Sequence, residues 1–204
     1  MTMSIKTINH ERSLVLIKPD GVQRSLVGEI ITRFEKKGLK VTAMKMIWPT
    51  LEMAKKHYDQ PVEAMMLLGN RTLASYAEKG IKHRLSDPME IAREIQGRLL
   101  KYLVVGPVVA MVIEGAHAIA HVRKIRGVTN PLAADMGTIT GDYTIDSYFI
   151  ADADERAIRN LVHASGTVEE AENEIKIWFK ENEIMDYDMA IDQILYSMEW
   201  QKEK

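Results

Sequence analysis

The sequence predicts one domain of mixed helix and strand, and three observations carry that expectation. Compact apolar runs with β-branched members stand at residues 13–18, 39–48 and 106–115. Between and after them, apolar residues recur at helical spacing. No repeat and no low-complexity linker divides the 204 residues, so a single domain over 1–204 with embellishments is preferred to two domains.

Taken in order, SLVLIK (13–18) reads as a strand that runs into the turn Lys18-Pro19-Asp20-Gly21. Leu26, Val27, Ile30, Ile31 and Phe34 form one stripe that stops at Lys36, Lys37 and Gly38, a helix with a glycine just past its end. Residues 39–48 alternate as a half-buried strand closed by Pro49, and Thr50 offers an N-cap for a helix through His57 and Tyr58. From Gln60 to Gly97 the chain turns helical and charged, with breaks expected at Gly69, Gly80 and Ser86-Asp87-Pro88. GPVVAMVIEG (106–115) is the strongest buried-strand signal, and Ala118, Ile119 and Val122 predict a helix ending near Gly127. Residues 128–142, rich in Gly, Pro, Asn, Asp and Thr, read as a long ordered loop of the functional kind. Tyr143 to Ile150 reads as strand, Ala151 to Arg159 as a local turn or short helix. Beyond Trp178, the apolar residues Ile184, Ile191, Ile194, Leu195 and Met198 predict one further helix.

The chemically informative stretch is Asn160 to Ser165, NLVHAS, followed by GTVEEAENEIKIWF: a short apolar strand, a turn and a helix. Thr167 and Glu170 have capping-box spacing, and Val168, Ala171, Ile175 and Trp178 share one helical face. His163 therefore stands just before a helix start. Glu174 lies at the rim of the buried face, from which its carboxylate reaches back toward His163 and Ser165. An imidazole held by an orienting acid, with a hydroxyl beside it, is an arrangement for nucleophilic chemistry. On this segment alone the competing reading, an ordinary histidine among six, carries more weight.

Composition removes several classes. With no cysteine, disulfides, thiolate metal sites and cysteine nucleophiles are excluded. Lys plus Arg number 27 against 29 Asp plus Glu, a net charge of −2, so no broadly basic surface points to nucleic acid and any anion site must be local. No apolar run approaches the length of a membrane span, and MTMSIKTINH has no apolar signal-peptide core, so a cytoplasmic protein is expected.

Taken together, IKPDGVQRSLVGEIITRFEKKGLKV (17–41), GPVVAMVIEG, TNP followed by GTI and GDY, and NLVHAS with EIKIWF resemble the nucleoside diphosphate kinase family. The resemblance implies an α+β fold: a ferredoxin-like βαββαβ antiparallel sheet with helices on one face, carrying helical insertions near 60–94 and 144–158. It implies transfer of the γ-phosphate of a nucleoside triphosphate to a diphosphate by a ping-pong route through a phosphohistidine at His163, with Mg2+ accompanying the nucleotide. It also implies a homo-oligomer, hexamer or tetramer, with nucleoside tri- and diphosphates as partners and no specific nucleic acid or membrane. Catalytic roles fall by resemblance on His163, Ser165, Glu174, Lys18 and Tyr58. Substrate contacts fall on Lys18, Tyr58, Arg123, Thr129, Asn160 and the position of Thr140. Lys18 and Arg123 also suit phosphate on chemical grounds, as a strand-end ammonium and a bidentate donor. Three departures stand out. Thr140 replaces the arginine of G-T-I-R-G-D, which raises a second reading, a weakened nucleotide-binding or scaffold homologue. Arg93, Arg98, Arg126 and Arg156 are candidates to replace the missing charge. After the histidine, Ala164-Ser165-Gly166 stands where the family has G-S-D. The insertion from 60 removes the base-stacking phenylalanine, with Ile95 nearest by counting.

Overall fold

The computed structural model describes residues 11–196. Four strands, β1 (Glu11–Ile17), β2 (Lys40–Ile47), β3 (Val108–Gly115) and β4 (Val162–Ala164), form one antiparallel sheet in the order β2-β3-β1-β4. β1 pairs with β3 along its whole length, from Glu11 opposite Gly115 to Ile17 opposite Val109. On its other side Val15–Ile17 pair with Val162–Ala164, which sets His163 opposite Leu16. Both long central strands are covered on two faces, and this is why they read as nearly continuous apolar runs. β2, at the edge, alternates and leaves Met44 and Met46 exposed.

The two faces of β1 bury different layers. Val15 and Ile17 pack with Ile30 and Phe34 of α2 (Val27–Lys36) and with Ala118 and Val122 of α6 (Ala118–Arg126). These are the crossover helices on one face that a βαββαβ core requires. Leu14 and Leu16 face the other way. They pack with Ala54 of α3 (Leu51–His57), Leu103 of α5 (Pro88–Val104), and Ala171, Ile175 and Trp178 of α9 (Val168–Trp178). The second face is thus closed by helices outside the βαββαβ count, and it is there that the candidate site forms.

Local chemistry explains the helix ends. α2 stops where Gly38 takes φ +86°, a left-handed value that costs glycine no steric strain, and Leu39 N–H returns to Phe34 O. Thr50 accepts the Met53 N–H, and Thr167 the Glu170 N–H, each at 3.1 Å. The Glu170 carboxylate accepts from Gly166 N–H at 2.7 Å, one residue before the position a capping box would use. Asp87 caps α5, which begins at Pro88, as the sequence predicts.

Three expectations need correction. Gly69 does not break a helix: α4 (Val62–Glu78) runs through it. A Cβ there would lie 1.9 Å from the Pro88 carbonyl oxygen, so glycine permits close approach to the start of α5. Tyr143 to Ile150 is not a strand. Tyr143 closes α7 (Ile139–Tyr143), and Tyr148 opens α8 (Tyr148–Ala153), capped by the Ser147 hydroxyl, because a short apolar run carries no periodicity that separates helix from strand. The expected loop at 128–142 likewise contains a 3₁₀ turn, Pro131–Ala133, and part of α7. Pro19–Gln23 forms a short helix, α1, and the tail holds α10 (Asp192–Tyr196), while Met198 lies outside the described residues.

Residues 60–94 lie in α4 and the first half of α5, outside the sheet, and 144–158 contain α8. The two segments are clasped together: Asp152 accepts from the Tyr76 hydroxyl and from Arg98 Nη1, both at 2.9 Å.

Candidate active site

His163 sits in the middle of β4 between the buried Val162 and Ala164, so the pleat turns its ring toward α3 and α9. Its Nε2 lies 2.7 Å from Glu174 Oε1, off the line of a regular hydrogen bond, and is buried. Nδ1 has no hydrogen-bond partner among the described residues, and the 18% of the side chain that stays exposed lies away from the buried Nε2. Glu174 is itself fixed: its second oxygen accepts the Ser165 hydroxyl at 2.6 Å, and Ser165 Oγ accepts the Leu14 N–H at 3.0 Å. The carboxylate is therefore anchored through Ser165 to the central strand.

Burial, followed by the charge of Lys18, holds His163 down at about 3, so the ring is neutral at ordinary pH and keeps a lone pair for attack. Burial pushes Glu174 upward, opposed by His57 and by the Ser165 hydrogen bond.

Lys18 leaves the end of β1 with only 6% of its surface exposed. Its Nζ donates to Asn160 Oδ1 at 2.6 Å, and Asn160 Nδ2 donates to the Thr129 carbonyl at 2.8 Å. Burial above all lowers Lys18 to about 8; Asp20 opposes the shift and Arg126 adds to it. Leu161, between Asn160 and His163, is fully buried with φ +66°, a strained value for a branched side chain. Its carbonyl accepts from Lys18 N–H at 2.7 Å and its N–H donates to Asp20 Oδ2 at 3.2 Å. The strain is held by the same turn that presents Lys18.

The remaining sequence candidates divide. Tyr58 caps α3, and burial, aided by Glu174, pushes its phenol up. Arg123 is exposed on α6, with Nη1 where a Cβ on Gly166 would come within 3.0 Å. Thr129 joins through its carbonyl. Thr140 is 1% exposed within α7 and makes no hydrogen bond to this group among the described residues. Ile95 is half-buried on α5.

Two residues escaped the sequence reading. His57 buries its ring edge-on to His163 with centroids 4.5 Å apart, and to Trp178, whose Nε1 donates to His57 Nδ1 at 3.4 Å. Burial and then His163 lower it to about 3. Its only sequence signal is its place next to Tyr58 in a capped helix. Tyr102 of α5 lies under Lys18, whose Nζ is 5.5 Å from the ring centroid, and nothing local in the sequence marks it.

His57, His163 and Glu174 bring ligand-type atoms within 4.8 Å of one another. Mg2+ prefers an octahedron of oxygens with several retained waters. This trio offers two nitrogens and one carboxylate that is already bonded to Ser165. It fits a braced imidazole and does not fit a Mg2+ cage.

A ferredoxin-like antiparallel sheet that presents a histidine and a buried ammonium in one basin has the parts that a phosphotransferase of the α+β class uses. The nucleoside diphosphate kinase family model matches residues 11–70 and 89–184, passing over only the end of α4 and the connection to α5 within that span. A nucleoside diphosphate kinase of Pyrobaculum aerophilum is 45% identical over 180 residues, covering 86% of this chain and 98% of that protein. One from Pyrococcus furiosus is 43% identical over 182 residues, covering 89% and 91%. Among solved structures, an NDP kinase from Pyrobaculum aerophilum has a TM-score of 0.84 at 44% identity, covering 87% of this chain and 100% of that one. A transition state mimic of the Borrelia burgdorferi nucleoside-diphosphate kinase with bound vanadate and ADP has a TM-score of 0.74 at 33% identity, covering 91% and 96%. The chain belongs to the nucleoside diphosphate kinase family. Identity at this level over most of the chain favours an enzyme over the weakened homologue raised by Thr140.

Proposed function

We propose that the chain moves the γ-phosphate of a nucleoside triphosphate to a nucleoside diphosphate in two half-reactions, with Nδ1 of His163 as the carrier atom. In the first, the Nδ1 lone pair forms a bond to the γ-phosphorus as the bond to the β-γ bridging oxygen breaks, and the diphosphate leaves with that electron pair. In the second, a terminal oxygen of the incoming diphosphate attacks the phosphorus and the N–P pair returns to Nδ1. Glu174, held by Ser165, keeps the ring oriented and answers the positive charge that develops on it. Lys18 and Arg123 neutralise phosphate oxygens, Asn160 and Thr129 position them, and Tyr58 closes the wall beside Glu174. Mg2+ enters as part of the nucleotide substrate, on its phosphate oxygens.

The single observation that carries this reading is the division of the His163 ring, with Nε2 set 2.7 Å from Glu174 and Nδ1 unpartnered among the described residues. Assembly as a homo-oligomer, hexamer or tetramer, is part of the same proposal. Edge strand β2 and its end expose Met44, Met46 and Trp48, a surface on which a second copy would pack. A single domain and a cytoplasmic setting complete it; among the described residues no helix is long and apolar enough to cross a membrane. The test uses γ-labelled ATP with Mg2+. Acid-labile, base-stable label should appear on His163 and be absent from His163→Ala. Label that survives acid, or persists in that variant, defeats the proposal.

A further inference from the structure

We infer that Arg126 is a phosphate-gripping residue of this site, joining Lys18 on the phosphate that His163 exchanges. The inference rests on His163 as the carrier, but its observations are separate.

Arg126 is the last residue of α6 and is half-buried. Its Nε donates to the Gly127 carbonyl at 3.0 Å, which leaves both terminal amino groups without a hydrogen-bond partner among the described residues. No carboxylate there forms an ion pair with it, although burial and the neighbouring Arg123 both press against its charge. Its field reaches both Lys18 and His163. A guanidinium partly withdrawn from water beside two other cations, eased by the field of Glu170 but ion-paired with no carboxylate among the described residues, destabilises the free protein. Such an arrangement makes sense when the counter-anion is a ligand, and a free pair of parallel N–H donors matches two oxygens of a phosphate.

Of the other candidates for the missing charge, two are spent and the third points to solvent. Arg98 is taken by Glu94 and Asp152, Arg156 by both oxygens of Asp146, and Arg93 is exposed on α5. Service to the α6 dipole does not explain Arg126 either, because Arg123 and Lys124 already occupy that last turn from exposed positions. The fold supplies the route. Gly127 packs so closely on α7 that a Cβ there would lie 2.5 Å from Thr138 Oγ1, and two residues further on is Thr140, where the family motif has its arginine. A charge absent from α7 is thus returned from the helix that abuts it.

Arg126→Gln, Arg126→Lys and the double variant Arg126→Gln/Thr140→Arg, each checked for a wild-type melting curve, are compared in steady-state transfer from ATP to a nucleoside diphosphate. Arg126→Gln should lower kcat/KM roughly 100- to 1000-fold, the loss typical of one preorganised donor. Its His163 should still accept label slowly. Arg126→Lys keeps charge without the fork and should show an intermediate loss, and it carries the test alone should Gln not fold. The double variant should regain much of what Arg126→Gln loses, which a merely structural arginine would not allow. Undiminished kcat/KM in either folded single variant overturns the assignment. Wild-type protein that takes no label on His163 overturns instead the reading beneath it.

Discussion

The clasp that joins α4, α5 and α8 and the basin around His163 are both rich in cations, and they treat them in opposite ways. In the clasp every arginine has its acid: Arg84 and Arg98 share Glu94, Arg98 also holds Asp152, and Arg156 lies across Asp146 and Asp154. In the basin, Lys18 rests on a neutral amide and Arg126 on a carbonyl. Matched charges tie elements together, whereas unmatched buried ones raise the energy of the empty protein and wait for an anion. On the proposed function, that difference is what separates structural from substrate-directed cations.

The comparison breaks first at Lys18. Lys18→Met keeps the length of the side chain and removes its charge, so kcat/KM should fall roughly 100- to 1000-fold. The melting temperature should not fall with it, because a charge held against burial has been deleted. A variant that melts well below wild type would show that Lys18 is structural, like the clasp arginines.

A smaller effect follows from pH. Lys18 titrates at about 8 in the folded protein against an ordinary 10.5. Its phosphate-binding charge is therefore present below pH 8, and kcat/KM should decline as pH rises through that value, by up to tenfold per unit. The sign for stability is opposite: the penalty of the buried ammonium is full below pH 8 and relieved between 8 and 10.5. This descending limb should vanish in Lys18→Met, and a limb that persists there belongs to another group.

The smallest effect on turnover is expected from the clasp. Asp152→Ala orphans the Tyr76 hydroxyl and leaves Arg98 with Glu94 alone, and should cost about 1–2 kcal/mol, discounted for partial exposure. That is a fall of a few degrees in melting temperature, with kcat/KM nearly unchanged. Loss of turnover larger than loss of stability would place the clasp inside the catalytic unit.

Much of the core was legible because short-range signals agreed. The stripe of α2 ended at Gly38, Thr50 and Thr167 capped as their spacing indicated, and the double-sided burial of β1 and β3 was written in their continuous apolar runs. The expectation failed at Gly69, where close approach to Pro88 decided the outcome, and at Tyr143 to Ile150, where a short apolar run concealed a helix capped by Ser147. In the site, His163, Glu174, Ser165 and Lys18 were visible as residues. Their arrangement was not, since Lys18 and Asn160 are 142 positions apart yet joined by a hydrogen bond of 2.6 Å.

By itself the sequence determined the principal strands and helix ends, because hydrophobic periodicity and capping act within a few residues of the chain, while the family and the βαββαβ order it implies were carried by the resemblance of whole motifs. Only the tertiary structure decided which ring nitrogen of His163 faces Glu174, that His57 and Tyr102 pack against His163 and Lys18, and that Arg126, without an ion pair among the described residues, lies within the field of Lys18. Burial and pairing are properties of neighbours brought from distant parts of the chain, and they alone turn a charged side chain into either a brace or a binding group.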